Sequence, residues 1–498
     1  EEYSKIVHVT FLTEGIDQTR GWAYTLLMEG VILNGRSPYR AFLFTGHVVD
    51  EKGEKMSKSK GNVVYARELF NTYPADLIRF YLMWKASPID VLSFDRKEMM
   101  ERPFQVLNTL YNLHVYYKIN AGYDGYVWNN EARGELTEKE RWILALFERT
   151  KRDYYDAYEK KRLNEMARIL ENFIIEQLSQ RYIPSIRNEL WNDSPETASR
   201  RSGIYWTIGK ILRELDIILH PLSPYITDYL YEDVFGHKDS VLLERLPEVD
   251  EGLIDEALIR KYDEVWEIIS LINNARMKAK IKRRWPLSEV LVYTSEKLEP
   301  GVLELVSALA NVKSVRQVTG LDDLPIKVSI RPIMGEIGKA FRKDSPRVMT
   351  LVQRSDPISV AKQIMESGYV ELEGFRIPYQ TIEIQISAKE GYEVSWRRGV
   401  VVVLNLRREK DLIEEGYLKD VARRIQYARK QKGYNPTQIL ENAELYIEDP
   451  EVAEAVSRNV QELSYLTRVK SFSINVGKPK VQGFLQFDLD EKKIYVKL

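Results

Sequence analysis

The sequence predicts a multidomain chain of α/β plus all-α class, and three observations predict it. Near the start, a β-forming apolar run, a helical run and a second apolar run follow one another as strand, helix and strand. From about residue 98 to 236 the apolar spacing turns helical throughout. Beyond that, basic helical segments alternate with strand-like runs such as EVLVYT, TIEIQIS and GVVVVLNL.

The first run, KIVHVTFL, is apolar and rich in β-formers. Ala23, Leu26, Leu27, Gly30 and Val31 then fall at helical spacing before AFLF resumes as a short buried strand. Parallel strands joined by a helix imply a doubly wound sheet covered on both faces, which one such unit does not complete. Residues 1–95 form this first expected domain, 96–250 a helix bundle and 251–498 a second α/β domain. In the bundle, Thr137 and Glu140 have the spacing of a capping box, and Ile143, Leu146, Phe147, Thr150 and Tyr154 line one face after it. Leu163, Met166, Leu170, Phe173 and Ile174 line the next helix, and a third leads into ILHPLSPYITDYLY. Within the last domain, ARMKAKIKRRWPLSEVLVYT and ARKQKGYNPTQILENAELYI share a basic helix, a proline loop and a strand, an echo that chance and shared function explain as well as common ancestry does.

A length of 498 residues requires several cores, and 44% hydrophobic with 30% charged residues argues against extended disorder. With 73 basic and 74 acidic residues, the formal charge of −1 offers no global field for nucleic acid, so any RNA contact must be local. The absence of cysteine excludes disulfides, thiolate-bound zinc and thiol catalysis, and the five histidines are scattered, so no metal site is expected. No apolar run reaches the roughly 18 to 20 residues of a membrane span, which makes a cytoplasmic protein without membrane contact the expectation.

The most informative segment is GHVVDEKGEKMSKSKGNVV, residues 46 to 64. Lys52, Lys55, Lys58 and Lys60 share a glycine-bounded loop after a strand, where open parallel sheets bind ligands. Ammonium groups there stabilise charge accumulating on phosphate oxygens, although lysine-rich loops are more often plain solvated surface. A second segment, FLTEGIDQTRGWAYTLL, crowds Glu14, Asp17 and Gln18 into a strand-to-helix turn, with Trp22 one helical turn beyond Gln18. A helix cap and a core tryptophan are the bland reading of that pattern.

The string KMSKS followed by Gly-Asn, together with EGIDQTRGW, resembles the carboxyl-terminal portion of isoleucyl-tRNA synthetases, members of the class I aminoacyl-tRNA synthetases. The resemblance continues in order through SPIDVLSF, LTEKERWILALF, QLSQRYIPSIRNELW and HPLSPYITDYLY, and more loosely through RRWPL and DLIEEGYLKDVARRIQYARK. It implies the second half of a Rossmann-type catalytic domain, a helix-bundle anticodon-binding domain and a carboxyl-terminal α/β domain. It also implies that Lys55, Ser57 and Lys58 serve catalysis, that Gly46, His47, Val48, Met56 and Lys58 bind ATP, and that Glu14, Gly15, Asp17, Gln18 and Trp22 contact isoleucyl-adenylate. His47 is equally readable as a satisfied lone histidine, and Ala23 stands where relatives usually place an aromatic residue. The family's His-x-Gly-His signature and its inserted editing domain have no counterpart in these residues, so the chain is expected to be inactive alone.

Two basic runs are candidates for tRNA: Arg276, Lys278, Lys280, Lys282, Arg283 and Arg284 beside Trp285, and Arg423 and Arg424 with Arg429, Lys430 and Lys432. Each is alternatively a solvated helix face. Arg181, Arg187 and Trp191, with Tyr182 and Asn188, form a mixed basic and aromatic candidate for the anticodon loop. The partners implied are tRNA(Ile), isoleucine and ATP with Mg²⁺, without zinc, in a monomeric isoleucine–tRNA ligase. A non-catalytic tRNA-binding derivative and a valyl enzyme are the competing readings.

Overall fold

The computed structural model describes residues 9–131, 133–236, 240–397, 399–489 and 492–498, so the Lys5–His8 start of the first expected strand lies outside the described residues. Contacts divide the chain into two units, residues 1–259 and 260–498, which places the expected first domain and the bundle in one unit.

The first unit begins as the expected β-α-β. Strands β1 (Val9–Gly15) and β2 (Tyr39–Thr45) are parallel and joined by helix α1 (Trp22–Asn34), with Gly15 opposite Thr45 at their carboxyl ends. A Cβ on Gly30 of α1 would lie 2.5 Å from the Pro38 ring, so only glycine lets this helix lie so close to the chain that returns from it. The other faces of α1 leave Tyr24, Val31, Ile32 and Leu33 exposed. A second parallel pair, β3 (Val48–Val49) and β4 (Leu92–Ser93), brackets α2 (Ala66–Thr72) and α3 (Ala75–Lys85).

After the short α4 (Arg96–Met100), the bundle is built from α5 (Arg102–Tyr123), α6 (Glu138–Glu159), α7 (Leu163–Asn172), α8 (Ile183–Trp191), α9 (Ala198–Leu219) and α10 (Pro224–Val234). Ile143, Leu146, Phe147, Thr150 and Tyr154 are buried on α6 as expected. Glu140 accepts from the Thr137 amide at 2.9 Å and completes the capping box. It is more than a cap, because its buried carboxylate also meets Arg200 at 2.7 Å and the Tyr182 hydroxyl at 2.9 Å. Between α7 and α8, Phe173–Tyr182 winds as a π-helix where the spacing implied an ordinary one. Asp76 of α3 ties the first elements to the bundle, accepting the Tyr225 and Ile226 amides of the first turn of α10 at 3.3 and 2.6 Å. Among the described residues, no helix is long and apolar enough to cross a membrane.

The second unit is built from two copies of one arrangement. In the first, α11 (Glu256–Lys278) leads to β5 (Leu287–Tyr293), and α12 (Val302–Ala310) leads to the parallel β6 (Val312–Val318). An insertion follows, made of β7 (Ile326–Pro332), α13 (Met334–Phe341), α14 (Ser345–Arg354), α15 (Pro357–Ser367), the hairpin β8 (Tyr369–Leu372) and β9 (Phe375–Pro378), and β10 (Ile382–Ala388). The hairpin β11 (Tyr392–Arg397) and β12 (Val400–Asn405) then closes the sheet in the order β11-β12-β5-β6.

In the second copy, α16 (Lys410–Gln431) leads to β13 (Leu440–Ile447), and α17 (Pro450–Arg458) with α18 (Val460–Thr467) leads to the parallel β14 (Val469–Val476). The hairpin β15 (Leu485–Leu489) and β16 (Lys492–Lys497) follows directly, and the order β15-β16-β13-β14 repeats that of the first sheet, with the same parallel and antiparallel pairings. The faint echo in the sequence is therefore a structural repeat, in which the first copy carries the insertion. Leu291, Tyr293, Val401 and Val403 of the first sheet pack against that insertion in one core.

Each copy is locked by one buried arginine. The Arg276 guanidinium donates to the carbonyls of Lys282, Trp285, Ala310 and Asn311 at 2.7 to 3.3 Å. Arg429 does the same at the corresponding place, reaching Asn435, Pro436, Gln438, Thr467 and Arg468 carbonyls. In both copies these are the loop carbonyls before the first strand and the last carbonyls of the following helix, where the helix dipole favours a cation. Asn311 and Arg468 end those helices in the left-handed region, at φ 55° and 51°.

Removing either clamp strands several buried carbonyls, so Arg276→Ala and Arg429→Ala should each cost about 2–4 kcal/mol of local stability. Hydrogen exchange is expected to accelerate in β5 and β6 for the first change and in β13 and β14 for the second; equal loss in both sheets from either change would show that the clamps are not local.

Candidate functional site

Both candidate segments leave the same end of the parallel pair. The turn after β1 and the loop after β2 start from Gly15 and Thr45, which lie opposite each other, and the Thr45 hydroxyl donates to the Glu14 carbonyl at 3.2 Å. This carboxyl end of a parallel sheet is where such sheets take ligands.

In the turn, residues Ile16–Arg20 form a 3₁₀ segment held by side chains of its own. Glu14 accepts from the Gly15 amide at 3.0 Å, Asp17 accepts from the Gln18 amide group at 2.9 Å, and Gln18 accepts from the Trp22 amide at 3.3 Å. Trp22 is half-exposed and meets Phe42 edge-on at 6.0 Å, while Ala23 is buried and its carbonyl accepts from the Tyr39 hydroxyl at 3.2 Å.

The loop is anchored at its root. The Gly46 amide donates to the Pro88 carbonyl at 2.9 Å, and the Leu92 amide donates to the His47 carbonyl at 2.9 Å. A Cβ on Gly46 would lie 2.0 Å from the Asp90 carbonyl oxygen, so the SPID stretch and the loop root can touch only through glycine. From Val49 the chain turns through Asp50, whose carboxylate accepts the Lys52 and Glu54 amides at 3.0 and 2.7 Å. Gly53 adopts φ 80° at that turn, and Val49 pairs with Lys55 as the chain returns. Ser57 caps the Lys58–Lys60 3₁₀ turn, accepting from the Lys60 amide at 3.3 Å.

Asn62 closes the loop. It donates to Asp50 at 2.9 Å and to the Lys55 carbonyl at 3.3 Å, and it accepts the Ser57 amide at 2.9 Å. The hydrogen bond from Asn62, with those from the loop amides, holds the Asp50 carboxyl below its ordinary range. Lys60 pairs with Glu54 at 3.1 Å. Among the described residues, no carboxylate lies within ion-pair distance of Lys55 or Lys58, and both are exposed. Asp50 and Asn62 were not among the residues singled out from the sequence; the Asp-x-x-Gly turn ahead of the lysines and the Gly-Asn behind them were the available signals.

The basic runs are dispersed by the fold. Arg276 is buried in its carbonyl clamp, and burial with Arg283 nearby pulls its pKa down to about 10. This corrects the expectation that Arg276 faces phosphate: its guanidinium is already used inside the protein. Trp285 is also buried, so it offers no stacking surface; its indole donates to Asp420 at 3.2 Å, and Gly416 leaves room for the ring. Arg284 and Lys282 pair with the same Asp420 carboxylate. Lys278 is exposed but donates to the Val394 carbonyl at 3.0 Å, while Lys280 and Arg283 are exposed with no carboxylate within ion-pair distance among the described residues.

In the second run Arg424 donates to the Asp488 carbonyl at 2.6 Å and Arg429 is buried, whereas Arg423, Lys430 and Lys432 are exposed. In the bundle Arg187 is exposed on α8, Arg181 is half-buried and bonded to Gln177 at 2.9 Å, and Trp191 ends the helix half-buried.

Comparison with known families matches residues 1–95 to the class I tRNA synthetases (I, L, M and V) and residues 140–291 to the anticodon-binding domain of tRNA ligase. Both matches are to parts of class I tRNA synthetases. The chain's similarity along nearly its whole length is to isoleucine–tRNA ligases: 28% identity over 99% of the chain with that of Thermoplasma acidophilum, and 31% over 96% and 94% with those of Methanospirillum hungatei and Methanopyrus kandleri. It spans 47%, 47% and 44% of those three proteins, about half the length of the relatives it matches.

The contact at the loop root generates a prediction. Gly46→Ala drives a methyl group into the Asp90 carbonyl and should part β3 from β4, so the Leu92 and Phe94 amides are expected to exchange faster; unchanged exchange there would mean that the root tolerates a side chain.

Proposed function

We infer that this chain supplies the lysine-loop wall of the nucleotide site and the tRNA-binding parts of an isoleucine–tRNA ligase, acting in the cytoplasm as a monomer. One observation carries the reading: the acidic turn and the lysine loop leave the same carboxyl edge of a parallel pair, with no carboxylate among the described residues within ion-pair distance of Lys55 or Lys58. An adenylate placed across that edge has its aminoacyl end near Glu14, Gly15, Asp17, Gln18 and Trp22. Its adenosine lies toward Gly46, His47, Val48 and Met56, and its phosphates toward Lys55, Ser57 and Lys58.

In this reading the isoleucine carboxylate attacks the α-phosphate of ATP and pyrophosphate leaves. A ribose hydroxyl of the terminal adenosine of tRNA(Ile) then takes the acyl group. Mg²⁺ bound with the nucleotide would neutralise part of the phosphate charge that Lys55 and Lys58 also meet. The chain's own part is orientation and charge: no protein nucleophile is needed, and the two ammonium groups meet negative charge as it moves onto the departing pyrophosphate. Lys58→Ala in the full-length enzyme is therefore expected to slow isoleucine-dependent pyrophosphate exchange by about 100-fold or more with little change in isoleucine affinity. Exchange at the parental rate would overturn the reading.

For RNA, the exposed Lys280 and Arg283 replace the wider basic run as the phosphate contacts, with Arg423, Lys430 and Lys432 as a second group and Arg187 in the bundle. As a 498-residue polypeptide the chain is expected to bind tRNA(Ile) without charging it. Replacing Lys280 and Arg283 together with alanine should weaken binding and flatten its salt dependence by a slope of about 2, whereas Lys282→Ala, already engaged by Asp420, should change the slope little. Filter binding across salt concentrations measures both; an unchanged slope in the double variant would return these residues to solvated surface.

A further inference from the structure

The lysine loop is held by a two-residue clasp whose parts lie outside the string of lysines it serves. Asp50 sits at the start of the loop and Asn62 at its end, and they bond to each other at 2.9 Å. Each also organises its own arm. Asp50 fixes the amides of Lys52 and Glu54, and Asn62 fixes the Lys55 carbonyl and the Ser57 amide. The backbone groups bound by Asn62 flank Met56 on either side, inside the segment that carries both Lys55 and Lys58. The other loop contacts do not replace this: Lys60–Glu54 joins two side chains that are both more than half exposed, a pair of small energetic weight in water.

We propose that Asp50 and Asn62 are positioning residues for phosphate chemistry at this loop, closing its two arms so that Lys55 and Lys58 are presented together. The proposal rests on the nucleotide reading of the loop. Lysine side chains are long and flexible, so two of them act on one charged group only when the backbone beneath them is fixed. A single amide that donates twice and accepts once does this without adding a charge beside the phosphates, and it couples the loop's entry to its exit. The clasp works through the loop backbone and needs no contact with substrate.

Its chemistry is directional, which makes it testable by exchange of partners. In Asp50→Asn, an amide NH₂ faces the Asn62 NH₂ and the bond between them is lost; in Asn62→Asp, two carboxylates face each other. In the double variant D50N/N62D, residue 50 donates to residue 62, which still accepts the Ser57 amide, and only the bond to the Lys55 carbonyl is missing. Isoleucine-dependent pyrophosphate exchange by the full-length enzyme is measured for these three variants and for Lys58→Ala. Each single clasp variant is expected to lower kcat about tenfold with a smaller change in KM for ATP, and the double variant to return within about threefold of the parent.

Trypsin provides a reading independent of activity. Cleavage after Lys52, Lys55, Lys58 and Lys60 of the chain should accelerate several-fold in the single variants and slow again in the double variant. If Lys58→Ala slows exchange but the clasp variants keep the parental kcat, the proposal is overturned and the nucleotide reading stands. If Lys58→Ala leaves exchange unchanged, the nucleotide reading fails and the proposal with it. A double variant no better than the singles would also overturn it, because the two residues would then act separately.

Discussion

Backbone groups left without partners where a helix or strand stops are the constraint on which the rest of this structure depends. Each parallel crossover leaves carbonyls at the end of a helix and in the loop before the next strand, and burial makes each unmet one costly. The second unit answers twice with the same device, an arginine whose planar guanidinium reaches four or five carbonyls at once. The positive charge needs no carboxylate there, because several carbonyl dipoles converge on it. In the first unit the same problem arises at smaller scale, and an uncharged amide, Asn62, answers it within the lysine loop.

This explains which parts of the sequence could be read and which could not. The β-α-β start, the capping box at Thr137 and the buried stripe of α6 follow from local periodicity, and the structure contains all three. The KMSKS string was singled out by its residue order and not by its charge. Charge alone misled at Arg276, where a basic run with no acidic residue looked solvent-facing. The carbonyls that claim Arg276 come partly from residues 310 and 311, a nonlocal fact that no window of sequence contains. Trp285 failed as a stacking surface for the same reason, since Asp420 and Gly416 that receive it lie far along the chain.

The repeat was visible only as an echo because its two copies share geometry more than residues. The clamp arginines, the loop carbonyls they reach and the left-handed ends of the following helices correspond position by position, while the strands around them differ. The insertion also hid it, because β7 to β10 interrupt the first copy between its parallel pair and its closing hairpin. In the candidate site, Glu14, Asp17 and Gln18 were found where expected but bonded to their own turn, whereas Asp50 and Asn62 escaped notice because their work is done on backbone atoms.

The placement of Asp420 carries a consequence for how the second unit behaves as a material. This buried carboxylate belongs to the helix that opens the second copy, yet its partners Lys282, Arg284 and the Trp285 indole belong to the first. Loosening either copy would therefore leave unmatched groups in the other, so the pair should respond to heat or force as a single cooperative element rather than as two beads on a string. A duplicated fold has in this way lost the modularity that duplication usually brings: neither copy can be exchanged, trimmed or unfolded without the other registering the change.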